Sequence, residues 1–243
     1  MPTRALYRED ASLRVCESRI THVFDDGFEL EATVFYPHGG GQAGDTGRIR
    51  LADGRVIDIS DTVKSRREGA TPDDACHKPV DPSVLTGLVP GQPVQAEIDW
   101  PRRHRMMRFH TSTHLLCALI AHPVNGCSIQ PDYARIDFDM TEALDKSAIQ
   151  RGLDALIAAG HPCTSEWIDD DALRAQPELV RTMSVAPPLG FGRVRLLRIA
   201  GVDLQPCGGT HVSNTAEIGD VRIAKIEKKS ARTRRLTLRF GES

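Results

Sequence analysis

The sequence predicts an α+β protein in two parts. Residues 1–99 read as a small all-β domain, and residues 100–243 as helices on one face of a largely antiparallel sheet. Three observations carry that expectation. The dipeptides Asp26-Gly27 and Asp53-Gly54 each sit between alternating apolar segments, as hairpin turns do. A helical stretch from Pro101 to Ala121 follows the last of these strands. Beyond it, alternating runs such as Ala134–Asp139 return to a strand period.

In the first part, Ile49, Leu51, Val56, Ile57 and Ile59 surround the second hairpin, and Pro90-Gly91 introduces a strand from Val94 to Ile98. These segments suit a barrel or a sandwich. The stretch 65–83, rich in charge, proline and aspartate, has no clear element. In the second part, Asp99 is placed to cap the helix and His122-Pro123 to stop it, with Met106, Phe109, Leu116 and Ile120 supplying packing. Thr141 reads as the cap of a helix reaching Ala159, closed by Gly160. A strand at 163–168, a short helix at 170–176 and a proline-rich connection come next. Strands at Gly192–Ile199, Glu217–Glu227 and Arg234–Phe240 complete the chain. No internal repeat is present.

With 40% apolar and 26% charged residues and a net charge of −2, the 243-residue chain has the composition of a soluble protein. No apolar run approaches the ~18 residues of a membrane helix, and MPTRALYRED is not a signal peptide. A cytoplasmic protein with no membrane partner is the expectation. The six cysteines (16, 76, 117, 127, 163 and 207) lack framework spacing and read mostly as reduced core residues. Charge is uneven along the chain. Arg102, Arg103, Arg105 and Arg108 run into His110, and eight Lys or Arg follow Val221 against Glu227 and Glu242. Such blocks often form a solvated face; beside a metal site they point to a polyanionic partner.

Two short motifs carry the chemistry. His110-Thr111-Ser112-Thr113-His114 places two imidazoles on one helix face, and Cys207-Gly208-Gly209-Thr210-His211 sets a thiol and an imidazole around two glycines. Three imidazoles and a thiolate suit zinc. A metalloprotease is excluded, because Thr111 stands where H-E-x-x-H needs its glutamate. Four protein ligands also suit a structural zinc. Against that stand Thr111, Ser112, Thr113 and Thr210, which would line a polar pocket better than they pack a knot.

The glycine-rich stretch Tyr36–Gly47 fits two phosphate-loop patterns and belongs to neither. Gly39, Gly41 and Gly44 match G-x-G-x-x-G, but a strand follows where a helix is needed. Asp45 stands where a Walker lysine would be, so no ATP site is expected. Gly40-Gly41-Gln42 echoes the GGQ tip of peptide release factors, which makes Gln42 a candidate at the site; the plainer alternative is a loop making a tight reversal. Asp45, Asp137 and Asp139 are candidate general bases.

Tyr36–Gly47, His110–His114, Arg135–Phe138, Cys207–Val212 and the Lys225–Arg235 tail together resemble, in this order, the alanyl-tRNA editing proteins (the AlaX group). Nearly the whole chain is covered, and the glycine-rich stretch resembles that of the medium-length form, which carries a β-barrel before its editing domain. The resemblance implies a zinc-dependent hydrolase of mischarged tRNA-Ala. Its substrate would be the ester of serine, with glycine a second candidate. The family's ligands fall on His110, His114, Cys207 and His211. Thr113 falls where the family has a threonine near the amino-acid side chain. It is the candidate partner of serine's hydroxyl, its alternative being a bond to a backbone carbonyl one turn back. Thr113, Gln42 and Asp45 are thus the candidate catalytic residues. Gln130 is a candidate for the pocket glutamine, although the segment Asn125–Tyr133 is short. Arg102, Arg103, Arg105, Lys228, Lys229, Arg234 and Arg235 would hold the acceptor stem by its phosphates. A tRNA-binding module with a structural zinc and no turnover, or editing of another mischarged tRNA, are the alternatives.

Overall fold

The computed structural model describes residues 2–181 and 189–241. The chain divides into two compact units, Met1–Gly39 with Ala43–His104, and Gly40–Gln42 with Arg105–Ser243.

The first unit begins with β1 (Arg4–Ala5) and α1 (Leu6–Glu9). The strands β2 (Val15–Phe24), β3 (Gly27–Leu30), β4 (Ala32–Thr33), β5 (Gly47–Leu51), β6 (Val56–Lys64), β7 (Ala75–Pro79) and β8 (Pro93–Ile98) follow. Six of these close into an antiparallel barrel in the order β2-β3-β7-β6-β5-β8, while β1 and β4 pair separately in parallel. The barrel alternative is therefore the right one. Closure leaves no open strand edge, and the alternating Ile49, Leu51, Ile57, Ile59, Val94, Ala96 and Ile98 meet Phe28, Leu30 and Phe35 inside. The second hairpin turn falls at its dipeptide, with Gly54 at φ +88° between β5 and β6, while the first is shifted by one residue: Asp25-Asp26 forms the turn, and Gly27 opens β3 paired with Phe24.

The stretch 65–83 contains β7 and a 3-10 turn at Pro82–Leu85, both missed in the sequence. The segment Ala75-Cys-His-Lys-Pro79 has no β-branched residue to announce a strand. His77 within it is fully buried. Its Nε2 lies 2.9 Å from Thr33 Oγ1 and its Nδ1 3.2 Å from Phe28 O, with the rings of Phe28 and Phe35 against it. A neutral ring donating from Nδ1 and accepting at Nε2 satisfies both contacts. Burial drives its pKa down to about 4, against a weaker opposing bond to Phe28 O.

In the second unit, α2 (Trp100–Leu119), which enters it at Arg105, is followed by β9 (Val124–Ile129), β10 (Ala134–Asp139) and α3 (Lys146–Ala158). Then come β11 (Cys163–Asp169), α4 (Asp170–Arg174), β12 (Arg193–Ile199) and β13 (Asp203–Pro206). β14 (Val221–Ser230) and β15 (Thr233–Phe240) end it. Two antiparallel sheets result, β14-β15-β10-β9 and β11-β12-β13, giving the α+β class. Asp99 caps α2 as expected, accepting from Arg102 N at 3.1 Å. The α3 cap is Asp145, not Thr141; its carboxylate accepts from Ser147 N and Ala148 N, and the helix starts four residues later than Thr141 implied. Gly219 (φ +65°) ends a 3-10 turn at Thr215–Ile218, so the expected strand from Glu217 begins only at Val221. Strands β9 and β13 were not anticipated. Part of the proline-rich connection, residues 182–188, lies outside the described residues.

From Met106 to Cys117, every residue of α2 except Arg108 is buried. A helix enclosed on all sides must satisfy its own hydroxyls. Thr111 donates to Met107 O at 2.9 Å, Ser112 to Arg108 O at 2.8 Å and Thr113 to His110 O at 2.7 Å. Phe109 stacks on Phe240 of β15 at 4.1 Å between centroids. All six cysteines are free thiols, but only Cys76 and Cys117 are fully buried. Among the described residues, no helix is long and apolar enough to cross a membrane.

Because His77 is neutral when folded and titrates near 6.5 when unfolded, the unfolded chain binds the extra proton. Stability should therefore be intact above pH 6.5 and fall as pH drops toward 4, by up to about 3 kcal/mol from this group. Urea titrations between pH 7 and 4.5 should show that His77→Gln flattens this decline.

Candidate metal centre

His110 and His114 project from one face of α2, and Cys207 and His211 lie on the loop that leaves β13. The ligand atoms of all four fall within 4.8 Å of one another. Cys207 Sγ is 3.5 Å from His110 Nε2 and 3.2 Å from His211 Nε2. Donors around a tetrahedral ion with bonds of ~2.0–2.3 Å stand ~3.3–3.6 Å apart, so the set fits a small cation. The three imidazoles are buried, and Cys207 is half-buried.

Each imidazole is fixed from behind. His110 Nδ1 meets Gln42 Oε1 at 2.8 Å, His114 Nδ1 meets Asp203 Oδ2 at 3.0 Å, and His211 Nδ1 meets Thr111 Oγ1 at 3.3 Å. Thr111 has given its proton to Met107 O, so its oxygen accepts. All three Nδ1 atoms thus act as donors, which leaves Nε2 of each ring as the free lone pair turned toward the cluster. The donor chemistry fits a bound metal ion. Burial alone would raise the Cys207 thiol, but His110 and His211 outweigh it and hold Cys207 well below the ordinary thiol range. Burial takes His211 down to about 3. For His114 the same penalty is overcome by Asp203 and Cys207, which raise it to about 9; a metal ion would displace that proton.

Gln42 is fully buried and belongs to this unit. Besides His110, its Oε1 accepts from Thr210 N at 3.1 Å, and its Nε2 donates to Thr210 Oγ1 at 2.8 Å. It ties the His110 ring on the helix to the 207–211 loop, a contact that positions the cluster. Gly41 lies so close to Cys127 O that a Cβ would sit 2.6 Å from it, and Ile129 N donates to Gly41 O at 2.7 Å. Gly40–Gln42 is therefore laid along β9, which is more than a tight reversal. Gly209 is equally constrained: a Cβ there would lie 2.1 Å from His110 Cε1.

Three supporting residues went unnoticed in the sequence. Asp203 and Gln205 alternate along β13, and Cys207, the first residue after it, continues the spacing; Gln205 Nε2 donates to Asp203 Oδ2 at 2.7 Å. Along β13 the polar residues are buried while Leu204 and Pro206 are half-exposed, the reverse of an amphipathic strand. That D-x-Q-x-C spacing was the available signal. Arg195 of β12, also buried, donates to Cys207 O at 3.0 Å and Gly209 O at 2.9 Å. Nothing in its local sequence marks it.

The other expected residues divide. Thr113 is buried beside His110, and its donated proton leaves its oxygen as an acceptor. The expected polar lining is otherwise reduced, because Thr111, Ser112 and Thr210 hydroxyls are engaged as described. Asp45 lies in the first unit, where it pairs with the buried Arg103 and accepts from Tyr36 N at 2.6 Å. Arg103 also donates to Ala11 O and Val34 O. Neither is free to act as a base or a phosphate contact. Arg102 donates to Gly44 O at 2.6 Å, and Arg105 donates to Pro131 O and pairs with Asp132. Arg234 is buried, donating to Glu142 O and Thr141 O, so it braces the loop between β10 and α3. Arg235 and Lys229 pair with Asp137, and Arg232 with Asp139. Burial would raise Asp137, but Arg235 outweighs it and keeps the carboxylate below its usual range. Both aspartates are thereby engaged as ion-pair partners. Gln130 stands in the turn between β9 and β10, its N donating to Tyr133 O at 2.9 Å. Lys228 is exposed at the β14–β15 hairpin.

The chain is 32% identical to the alanyl-tRNA editing protein AlaX-M of Methanosarcina acetivorans, over 96% of its own length and 97% of that protein. It is 34% identical to AlaX-M of Methanosarcina barkeri over the same shares. This chain belongs to the alanyl-tRNA editing protein family. Residues 194–237, from β12 through most of β15, match the threonyl and alanyl tRNA synthetase second additional domain. The match therefore holds Cys207 and His211 but not the α2 pair. The alanine–tRNA ligase of Sulfurisphaera tokodaii is 30% identical over 93% of this chain, which spans 25% of that ligase.

Gly209→Ala should lower metal content, measured by elemental analysis, and lower stability by about 1–3 kcal/mol as His110 is forced off Gln42. Asp45→Asn should leave metal content unchanged while lowering stability in urea by about 3–5 kcal/mol, because it strands the Arg103 charge.

Proposed function

We propose that this chain is a trans-editing hydrolase that deacylates mischarged tRNA-Ala, cleaving the ester of serine and, as a second substrate, glycine. The observation that carries this reading is the convergence of His110, His114, Cys207 and His211, each imidazole anchored through Nδ1 and presenting Nε2. The full-length likeness to stand-alone editing proteins supports action in trans.

Zinc is the metal that three imidazoles and a thiolate favour, and when bound it supplies a Lewis acid at the ester carbonyl. The chain's own residues do the rest. Gln42, Asp203 and Thr111 hold the rings, and Arg195 holds the Cys207–Gly209 backbone. Thr113, its proton committed to His110 O, offers an oxygen that accepts from serine's hydroxyl. Alanine brings no donor, and leaving that buried acceptor unmet costs about 1–3 kcal/mol, a roughly tenfold to hundredfold discrimination; glycine forgoes the same bond, which makes it the poorer of the two substrates. A pocket that binds a hydroxyl complements a synthetase site, which rejects a hydroxyl-bearing near-isostere poorly. Lys228 and Lys229, exposed on the β14–β15 hairpin, supply non-specific phosphate contacts.

Deacylation of Ser-, Gly- and Ala-charged tRNA-Ala beside Ser-charged tRNA-Thr tests the reading. Ser-tRNA-Ala should be hydrolysed and Ala-tRNA-Ala spared, with Cys207→Ala folded by circular dichroism but without turnover. Unfolding of Cys207→Ala together with absent wild-type turnover would establish a structural zinc instead. Preference for Ser-tRNA-Thr would establish a different editing specificity.

A further inference from the structure

One side chain on the sheet that carries Cys207 is left unused by metal binding. Trp167 of β11 pairs with Arg195 of β12, and Cys207 N donates to Arg195 O at 3.0 Å. Trp167, Arg195 and Cys207 therefore form one row across the sheet. Directly paired residues project from the same face. Arg195 shows which face this is: it reaches Ser165 Oγ on β11 at 2.6 Å and the Cys207 and Gly209 carbonyls on the other side. With strands ~4.8 Å apart, the indole stands ~10 Å from the metal-loop backbone.

Trp167 is 44% exposed, on a strand whose seven residues are all paired with β12. The Arg193 guanidinium lies 4.5 Å from its ring centroid. At the same end of the hairpin, Asp170 pins the turn by accepting from Gly190 N at 2.8 Å and Gly192 N at 3.2 Å, which presents Phe191, 58% exposed. An isolated exposed apolar residue needs no explanation. Here a rigidly held indole, a cation on its ring and a second aromatic sit together, in register with a metal-ligating loop. A flat π surface beside a guanidinium matches a nucleobase and its phosphate.

We propose that Trp167, with Arg193, stacks an unpaired nucleobase at the acceptor end of the aminoacyl-tRNA whose ester meets the His110–His114–Cys207–His211 centre, an inference that rests on the deacylase reading. The ribose bridges the separation between ester and base. Aromatic residues make up only 5% of the chain, too few for a single-strand stacking array, but one platform is enough for one base. Stacking is indifferent to base identity, so this contact fixes the position of the acceptor end without reading its sequence.

Two measurements on the full chain test this. In a Trp100→Phe background Trp167 is the only tryptophan. A short single-stranded RNA ending in CCA should then quench its fluorescence saturably, and the same RNA with an abasic 3′ residue should quench less. In deacylation of Ser-tRNA-Ala, Trp167→Ala should raise KM by about tenfold with kcat little changed, and Trp167→Phe should keep the wild-type KM. Active wild-type protein with no quenching, and with an unchanged KM in Trp167→Ala, overturns the stacking contact and leaves the deacylase reading in place. Saturable quenching by a protein that deacylates none of the charged tRNAs overturns the deacylase reading while the nucleobase contact stands.

Discussion

The centre depends on how three imidazoles are held from behind. A histidine ring ligates through one nitrogen only if the other is committed elsewhere, and here Gln42, Asp203 and Thr111 each take an Nδ1 proton. The three partners come from the glycine-rich loop, from β13 and from the helix itself. The cluster therefore exists only when all three segments are in place. Gly209 is the steric counterpart of this constraint, because the His110–Gln42 bond fills the space a Cβ would need.

That requirement explains an interior with unusual polar content. Gln42, Asp203, Gln205, Thr210 and Arg195 are all buried, positions that cost free energy unless every polar atom finds a partner. Gln42 meets His110 and Thr210, Arg195 takes two loop carbonyls and Ser165, and Asp203 meets His114 and Gln205 through Oδ2, while its Oδ1 makes no hydrogen bond among the described residues and faces Arg181 at 4.0 Å. The hydroxyls of α2 follow the same logic by returning their protons to the helix. Thr113 differs from Thr111 because its oxygen, having donated to His110 O, keeps accepting capacity, whereas Thr111 already faces His211 Nδ1 and accepts from Val212 N.

The basic residues show why charge counted along a chain is a poor guide to a binding face. Arg103 and Arg234 look like phosphate contacts in the sequence, yet both are buried and brace backbone. Guanidinium forks suit that task, since one group can join several carbonyls and a carboxylate. Lysines on the β14–β15 hairpin remain outward, and Arg193 takes a position over an indole that the charge pattern did not single out.

The sequence by itself picked out the four side chains that cluster, His110, His114, Cys207 and His211, together with the α+β class and most strand positions. The reason is local: i,i+4 spacing on a helix, two glycines beside a cysteine, and apolar alternation each act within a few residues. It also placed the Asp53-Gly54 turn and the Asp99 cap, and the first hairpin turn to within one residue, all of which depend on neighbouring atoms alone. It missed β7, β9 and β13, whose residues are polar or lack β-branches and are held as strands by pairing with distant segments. Barrel closure over sandwich was likewise decided by which distant strands pair. Only the tertiary structure brought Asp203, Gln205 and Arg195 to the 207–211 loop, set Gln42 between His110 and Thr210, and buried Asp45 against Arg103. Most of those roles arise where distant segments meet, as Asp203 with His114 and Gln42 with Thr210, and the nearer ones need the β12–β13 pairing that lays Arg195 beside the loop.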